Sequence, residues 1–184
     1  SGETEFTFTY DKDSENRKYI PLNRVEYIGC SSEQVDKSGS AKNALDGNIN
    51  TYWHTWWAGG DNDRYIIVKL DEPVYLTGFD YTPVQSGNGN GRFQTCEIYT
   101  SLTGEDGSWT LSGRATGWGN NANKKSLELY NPVYTQYIKV RGAQAVGNFG
   151  SASMLEFFED TTVENKAIAS IAITTKPDRT EYVV

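Results

Sequence analysis

The sequence predicts an all-β protein, an antiparallel sandwich of short strands. Three observations carry that expectation. Runs of alternating or β-branched residues recur, each bounded by Gly, Pro, Asn, Asp or Ser. No segment holds a 3.6-residue period for three turns. Aromatics make up 13% of the chain, 12 Tyr, 7 Phe and 5 Trp beside 18 Gly, a mixture suited to pleated surfaces and tight connections.

The strands follow in order. FTFTY (6–10) alternates aromatic residues with threonine, and RVEYIGC (24–30) alternates until Ser31. SAKNAL (40–45) suits one short helical turn. RYIIVKL (64–70) and VYLTGFDYT (74–82) are separated by Asp71 and Pro73, which reads as a break. FQTCEIYTS (93–101) follows a glycine-rich stretch. KSLELY (125–130) and QYIKVRG (136–142) flank Asn131-Pro132, and MLEFFE (154–159) closes the series before Asp160. Eight runs with polar connections and no internal repeat make a sandwich.

This organises the chain into a leading strand or extension over 1–20, a β-sandwich over 21–160, and a changed text over 161–184. The last stretch has a charged spacer, a strand-like AIASIAITT and Lys176-Pro177. It reads as a linker entering a further β-domain, or as one extra strand of the same one. The chain reads as a piece of something longer, with any targeting signal elsewhere.

Composition narrows the function. Hydrophobic residues are 37% and charged residues 22%, ordinary for a folded domain of 184 residues. A net charge of -7 argues against nucleic acid, whose phosphates attract a basic face. No apolar run approaches the roughly 20 residues that cross a bilayer. Cys30 and Cys96 are two buried thiols or one bridge, and two cysteines do not make a zinc site by themselves.

Three loops concentrate unusual chemistry. In NALDGNINTYWHTWW (43–57), Asp46 precedes Gly47 in a turn that directs oxygens to one side. Such a turn either caps itself through Asp46 or holds Ca²⁺, which takes about 6–8 oxygens at flexible geometry. The same stretch places the only histidine, His54, among Tyr52, Trp53, Trp56 and Trp57. Core packing suits Trp53. Catalysis would need a partner nucleophile, and no G-x-S-x-G accompanies His54. Sugar binding suits His54 with the tryptophans, because a pyranose offers an apolar face to an indole and hydroxyls to a polar group. The second loop, TPVQSGNGNGRF (82–93), alternates Gly with Asn88 and Asn90. It is not a phosphate cradle, since no Gly-Lys-Ser/Thr follows. It is an ordinary connection, or its amides pair with vicinal hydroxyls. The third, GNFGSAS (147–153), sets Phe149 between glycines.

In this order these stretches resemble the discoidin or coagulation factor 5/8 type C domains, and more closely the family-32 carbohydrate-binding modules of bacterial glycoside hydrolases. SAKNALDGNINTYWHT, RYIIVKLDEPVYLTGFDYTP, GNGNGRFQTCEIYTS, DGSWT, QYIKVRG and SASMLEFFE carry the resemblance over about 21–160. It implies a jelly-roll β-sandwich of the discoidin, galactose-binding-like type, and a structural calcium. The ligands implied are the Asn43 carbonyl, the Asp46 side chain, the Asn48 carbonyl, Thr51, the Leu155 carbonyl and the Glu156 carboxylate. It implies a sugar site at His54, Trp57, Asn90 (alternatively Asn88) and Phe149. Galactose binders of the family usually carry an arginine where this chain has Val84, which opens the site to N-acetylhexosamines; Arg92 and Gln85 are potential substitutes. The tail resembles the start of a bacterial immunoglobulin-like module.

The expected function is a non-catalytic module for glycans ending in galactose, N-acetylgalactosamine or N-acetylglucosamine. It would be monomeric within a secreted or cell-surface multidomain chain and would target a linked glycoside hydrolase. The alternative is a discoidin-type adhesion domain for protein or membrane surface. Acidic residues near the tryptophans, Asp61 and Asp63, disfavour an anionic membrane.

Overall fold

The computed structural model describes residues 17–34, 36, 38–58 and 63–161. Their strands are β1 (Arg17–Tyr19), β2 (Val25–Cys30), β3 (Trp53–His54), β4 (Tyr65–Thr82), β5 (Phe93–Ser101), β6 (Thr110–Ala115), β7 (Lys125–Ala145), β8 (Ser151–Ala152) and β9 (Met154–Asp160). Short 3₁₀ turns occupy Leu22–Arg24, Ala41–Leu45 and Val146–Asn148. All strand pairs are antiparallel. Seven strands share one ladder in the order β1-β9-β4-β7-β5-β6, with β2 also on β4, and β3 pairs separately with β8. The fold is the expected all-β jelly-roll sandwich.

Two expectations about strand breaks are corrected. Runs 64–70 and 74–82 are one continuous strand, β4, and 125–130 and 136–142 are another, β7. Pro73 and Pro132 donate no hydrogen bond, yet the chain stays in the sheet. The β4–β7 register slips between Lys69 and Val74 and again between Leu76 and Gly78. Such bulges bend a strand without ending its ladder. The first half of β4 therefore pairs with β2 and the second half of β7. The second half of β4 pairs with β9 and the first half of β7.

The bend brings the two halves face to face over one core. Ile66, Val68 and Leu70 alternate inward from the first half and share a cluster with Leu76, Phe79, Leu127, Leu155 and Phe157. Each such side chain contributes roughly 2 kcal/mol of burial. SAKNAL does make a turn, and its Ala41 and Ala44 are in the same core. Trp53 is core as well, 1% exposed, with its indole N–H donating to the Ser32 carbonyl at 2.8 Å.

Four strands are not among the eight runs read from the sequence. β1 and β6 have polar text without clear alternation, and β3 and β8 are two residues each. β1 falls within the leading extension and pairs with β9, Arg17 opposite Asp160. The FTFTY and AIASIAITT runs lie outside the described residues. Cys30 and Cys96 form no disulfide with each other.

Candidate functional site

The smallest sheet builds the site. In the β3–β8 pair His54 faces Ser151 and Trp53 faces Ala152. Trp53 anchors this pair in the core, and the next residue, His54, is carried to the edge of a cleft of about 450 Å³. Backbone bonds hold it: the His54 N–H donates to the Gly39 carbonyl at 3.1 Å, and the His54 carbonyl accepts from Gln34 at 2.9 Å. The chain then turns, and Trp57 is fixed by its N–H donating to Gln34 Oε1 at 3.0 Å.

His54 is packed between two aromatics. Its ring lies 5.8 Å from the Trp57 ring at 90° and 5.3 Å from Phe149 at 44°. The Trp57 indole N–H donates to His54 Nδ1 at 2.9 Å, while Nδ1 also stands 2.7 Å from the Thr55 carbonyl oxygen. These contacts ask for opposite protonation of Nδ1, since the indole needs a lone pair and the carbonyl a proton. In both tautomers Nδ1 is used inside the protein, and Nε2 is the ring nitrogen left for a ligand. Burial pushes the imidazole below its ordinary 6.5, partly offset by the Thr55 carbonyl, so it is neutral at pH 7. Trp57 remains 49% exposed, a platform open to solvent.

The glycine-rich loop forms the opposite wall. Gly87, Gly89 and Gly91 all have positive φ, between 76° and 83°. That conformation explains the S-G-N-G-N-G text, because side chains disfavour it. Asn90 is set by its N–H donating to Asn88 Oδ1 at 3.1 Å and by its carbonyl accepting from the Ser151 hydroxyl at 3.1 Å. The Asn90 amide lies against Gly147, where a Cβ would stand only 2.8 Å from Oδ1. Thus β8 and its flanks tie the loops of His54, Asn90 and Phe149 together. The four residues singled out from the sequence line one cleft.

Val84, at the position the resemblance assigned to the sugar site, and Tyr52 line it too, together with Ser86, which the sequence did not single out. The two substitutes for a missing arginine do not face it. Arg92 is 8% exposed, and its guanidinium donates through Nε and Nη2 to the Val84 carbonyl at 3.0 and 2.8 Å. Gln85 donates to the Pro83 and Ala122 carbonyls at 2.6 and 3.1 Å. The wall at Val84 is therefore apolar.

For the implied calcium, the fit is partial. Asp46 Oδ1 accepts from the Asn48 N–H and Oδ2 from the Thr51 hydroxyl, both at 2.7 Å, and Thr51 Oγ1 lies 2.8 Å from the Asn48 carbonyl. Those oxygens converge as a cation would require. The Asn43 amide is used by the Ser38 and Tyr52 carbonyls. Glu156 departs from the expectation. On β9 it alternates with Leu155 and Phe157, which enter the core beside Ala41 and Ala44. Its carboxylate therefore leaves by the other face and accepts from Lys124 Nζ at 2.6 Å. The six residues do not fit as one calcium cage. Among the described residues no group of three or more His, Cys, Asp or Glu gathers for a metal.

The F5/8 type C domain family matches residues 27–157. The chain belongs to that family. A family 32 carbohydrate-binding module from Clostridium perfringens NanJ, solved with galactose, superposes with a TM-score of 0.67 at 32% identity, covering 78% of this chain and 99% of that one. CpGH89CBM32-5 of the same organism, solved with GalNAc-β-1,3-galactose, gives 0.67 at 26% identity, over 76% and 99%. An A type blood N-acetyl-α-D-galactosamine deacetylase of Flavonifractor plautii is 33% identical over 146 residues, 79% of this chain but 18% of the deacetylase. The F5/8 type C chain thus spans under a fifth of that enzyme and resembles a non-catalytic binding module.

Proposed function

We propose that this F5/8 type C domain binds the terminal sugar of a glycan in the His54 cleft and does not cleave it. One observation carries the reading. The cleft joins an exposed indole, a neutral imidazole and an amide, and among the described residues no carboxylate lines it. An indole takes the C–H face of a pyranose, and the imidazole and amide exchange hydrogen bonds with its hydroxyls. A glycosidase would need two carboxylates flanking the bond.

The relatives solved with galactose and with GalNAc-β-1,3-galactose support a galactose or N-acetylhexosamine class. Val84 favours the acetamido sugars, because its side chain offers methyl contact and no charge to ring hydroxyls. N-acetylgalactosamine is the preferred ligand on this account, ahead of galactose and N-acetylglucosamine. The module acts outside the cell, holding a linked glycoside hydrolase near its substrate. Affinity at one site is weak, since each sugar hydroxyl trades water for a protein group at little net gain.

The test is a mammalian glycan array probed with the wild type and with Trp57→Ala. Signal on glycans ending in N-acetylgalactosamine or galactose, lost in the variant, is expected. Absence of any glycan signal, or equal signal from Trp57→Ala, would remove the proposed function.

A further inference from the structure

The glycine-rich wall of the cleft leans on a second loop, residues 117–124. Asn120 Oδ1 accepts from Arg92 at 3.4 Å, and the Ala122 carbonyl accepts from Gln85 at 3.1 Å. A Cβ on Gly89 would stand 2.4 Å from Asn120 Oδ1, so the two loops touch. This supporting loop ends at Lys124, where three strands converge. Lys124 Nζ lies 2.6 Å from Glu156 on β9 and 3.6 Å from Asp80 on β4. It also stands 5.7 Å from the ring centre of Tyr19 on β1. Asp80 is 4% exposed and accepts from the Tyr19 hydroxyl at 2.7 Å and from the Ser126 hydroxyl. A carboxylate so buried is stable only with a cation and hydrogen bonds around it.

We propose that the Lys124 ammonium, and not calcium, is the cation that braces this module. Glu156, which the family resemblance assigns to a calcium cage, faces Lys124 instead, while its neighbours Leu155 and Phe157 enter the core that holds Ala41 and Ala44. The Asp46 turn closes through Asn48 and Thr51 with one carboxylate. The lysine joins β1, β4 and β9 to the loop behind Asn90, so the brace belongs to the chain itself.

Thermal melts of the full chain test this. Millimolar EDTA, and then excess Ca²⁺, should leave Tm within about 1 °C, whereas Lys124→Met should lower it by about 3 °C or more. Lys124→Arg, which keeps the charge, should recover most of that loss. A Tm lowered by EDTA and restored by Ca²⁺, or a Lys124→Met chain that melts with the wild type, overturns the proposal. Should Lys124→Met fail to fold, Glu156→Gln replaces it. A lowered Tm that Ca²⁺ leaves unchanged supports the lysine brace, and one that Ca²⁺ raises overturns it. None of these readouts involves sugar, so failure here is distinct from failure of the binding reading.

Discussion

His54 shows how one residue is read from the sequence and then redefined by its neighbours. As the only histidine among tryptophans it was a visible candidate, yet its Nδ1 is engaged by Trp57 and Thr55 and the residue is 7% exposed. Trp57 therefore does two things: it presents an open indole and it orients the imidazole. Replacing Trp57 with Ala should cost at least about tenfold in sugar affinity, roughly 1.4 kcal/mol. Calorimetric titration with N-acetylgalactosamine checks this, and Tm should hardly move because the indole is half exposed. His54 also makes a pH prediction. Burial pushes its folded pKa below the ordinary 6.5, so the unfolded chain takes the proton more readily. Stability from this residue is present above pH 6.5 and is lost as pH falls through the folded value. Melts at pH 7.5 and pH 5 should show a drop that is smaller in His54→Gln.

At the scale of elements, the glycine-rich loop and β8 decide where Asn90 stands. Gly91 has φ of 83°, and a Cβ there would lie 2.7 Å from Ser151 on β8. Gly91→Ala should therefore cost about 1–2 kcal/mol for the backbone conformation, before any clash. It should lower Tm by several degrees and weaken sugar binding together, as melts and titrations of the variant would report. A variant with normal Tm and normal affinity would show that this loop does not hold Asn90. The loop's turn character was legible in its alternating glycines, and so was the Asp46-Gly47 turn. The pairing of β3 with β8 was not. Two residues carry too little periodicity to announce a strand, and their partners lie about a hundred positions away. The continuity of β4 and β7 was hidden for another reason: Pro73 and Pro132 mark strand ends in text, while here bulges absorb them.

On the scale of the whole molecule, the sandwich is a rigid stand and the cleft one shallow contact on it. Two copies joined by a flexible linker should therefore hold a glycan-coated surface far longer than one. Avidity of about 10²-fold or more is expected from effective concentration alone, without new contacts. Surface plasmon resonance of a single and a tandem chain on the same glycan surface measures it; equal off-rates would argue against a single-sugar site of this kind. By itself the amino-acid order determined the all-β class, the polar turns and the aromatic and glycine-rich loops, within which the family resemblance picked out His54, Trp57, Asn90 and Phe149. These are local properties, set by side-chain period, glycine φ and aromatic chemistry, and they survive without knowledge of distant partners. Only the tertiary structure decided that Arg92 turns away to a carbonyl and that Glu156 meets Lys124. Each of those outcomes depends on which face of a strand meets which loop, and that is set by the long-range register of the sheet.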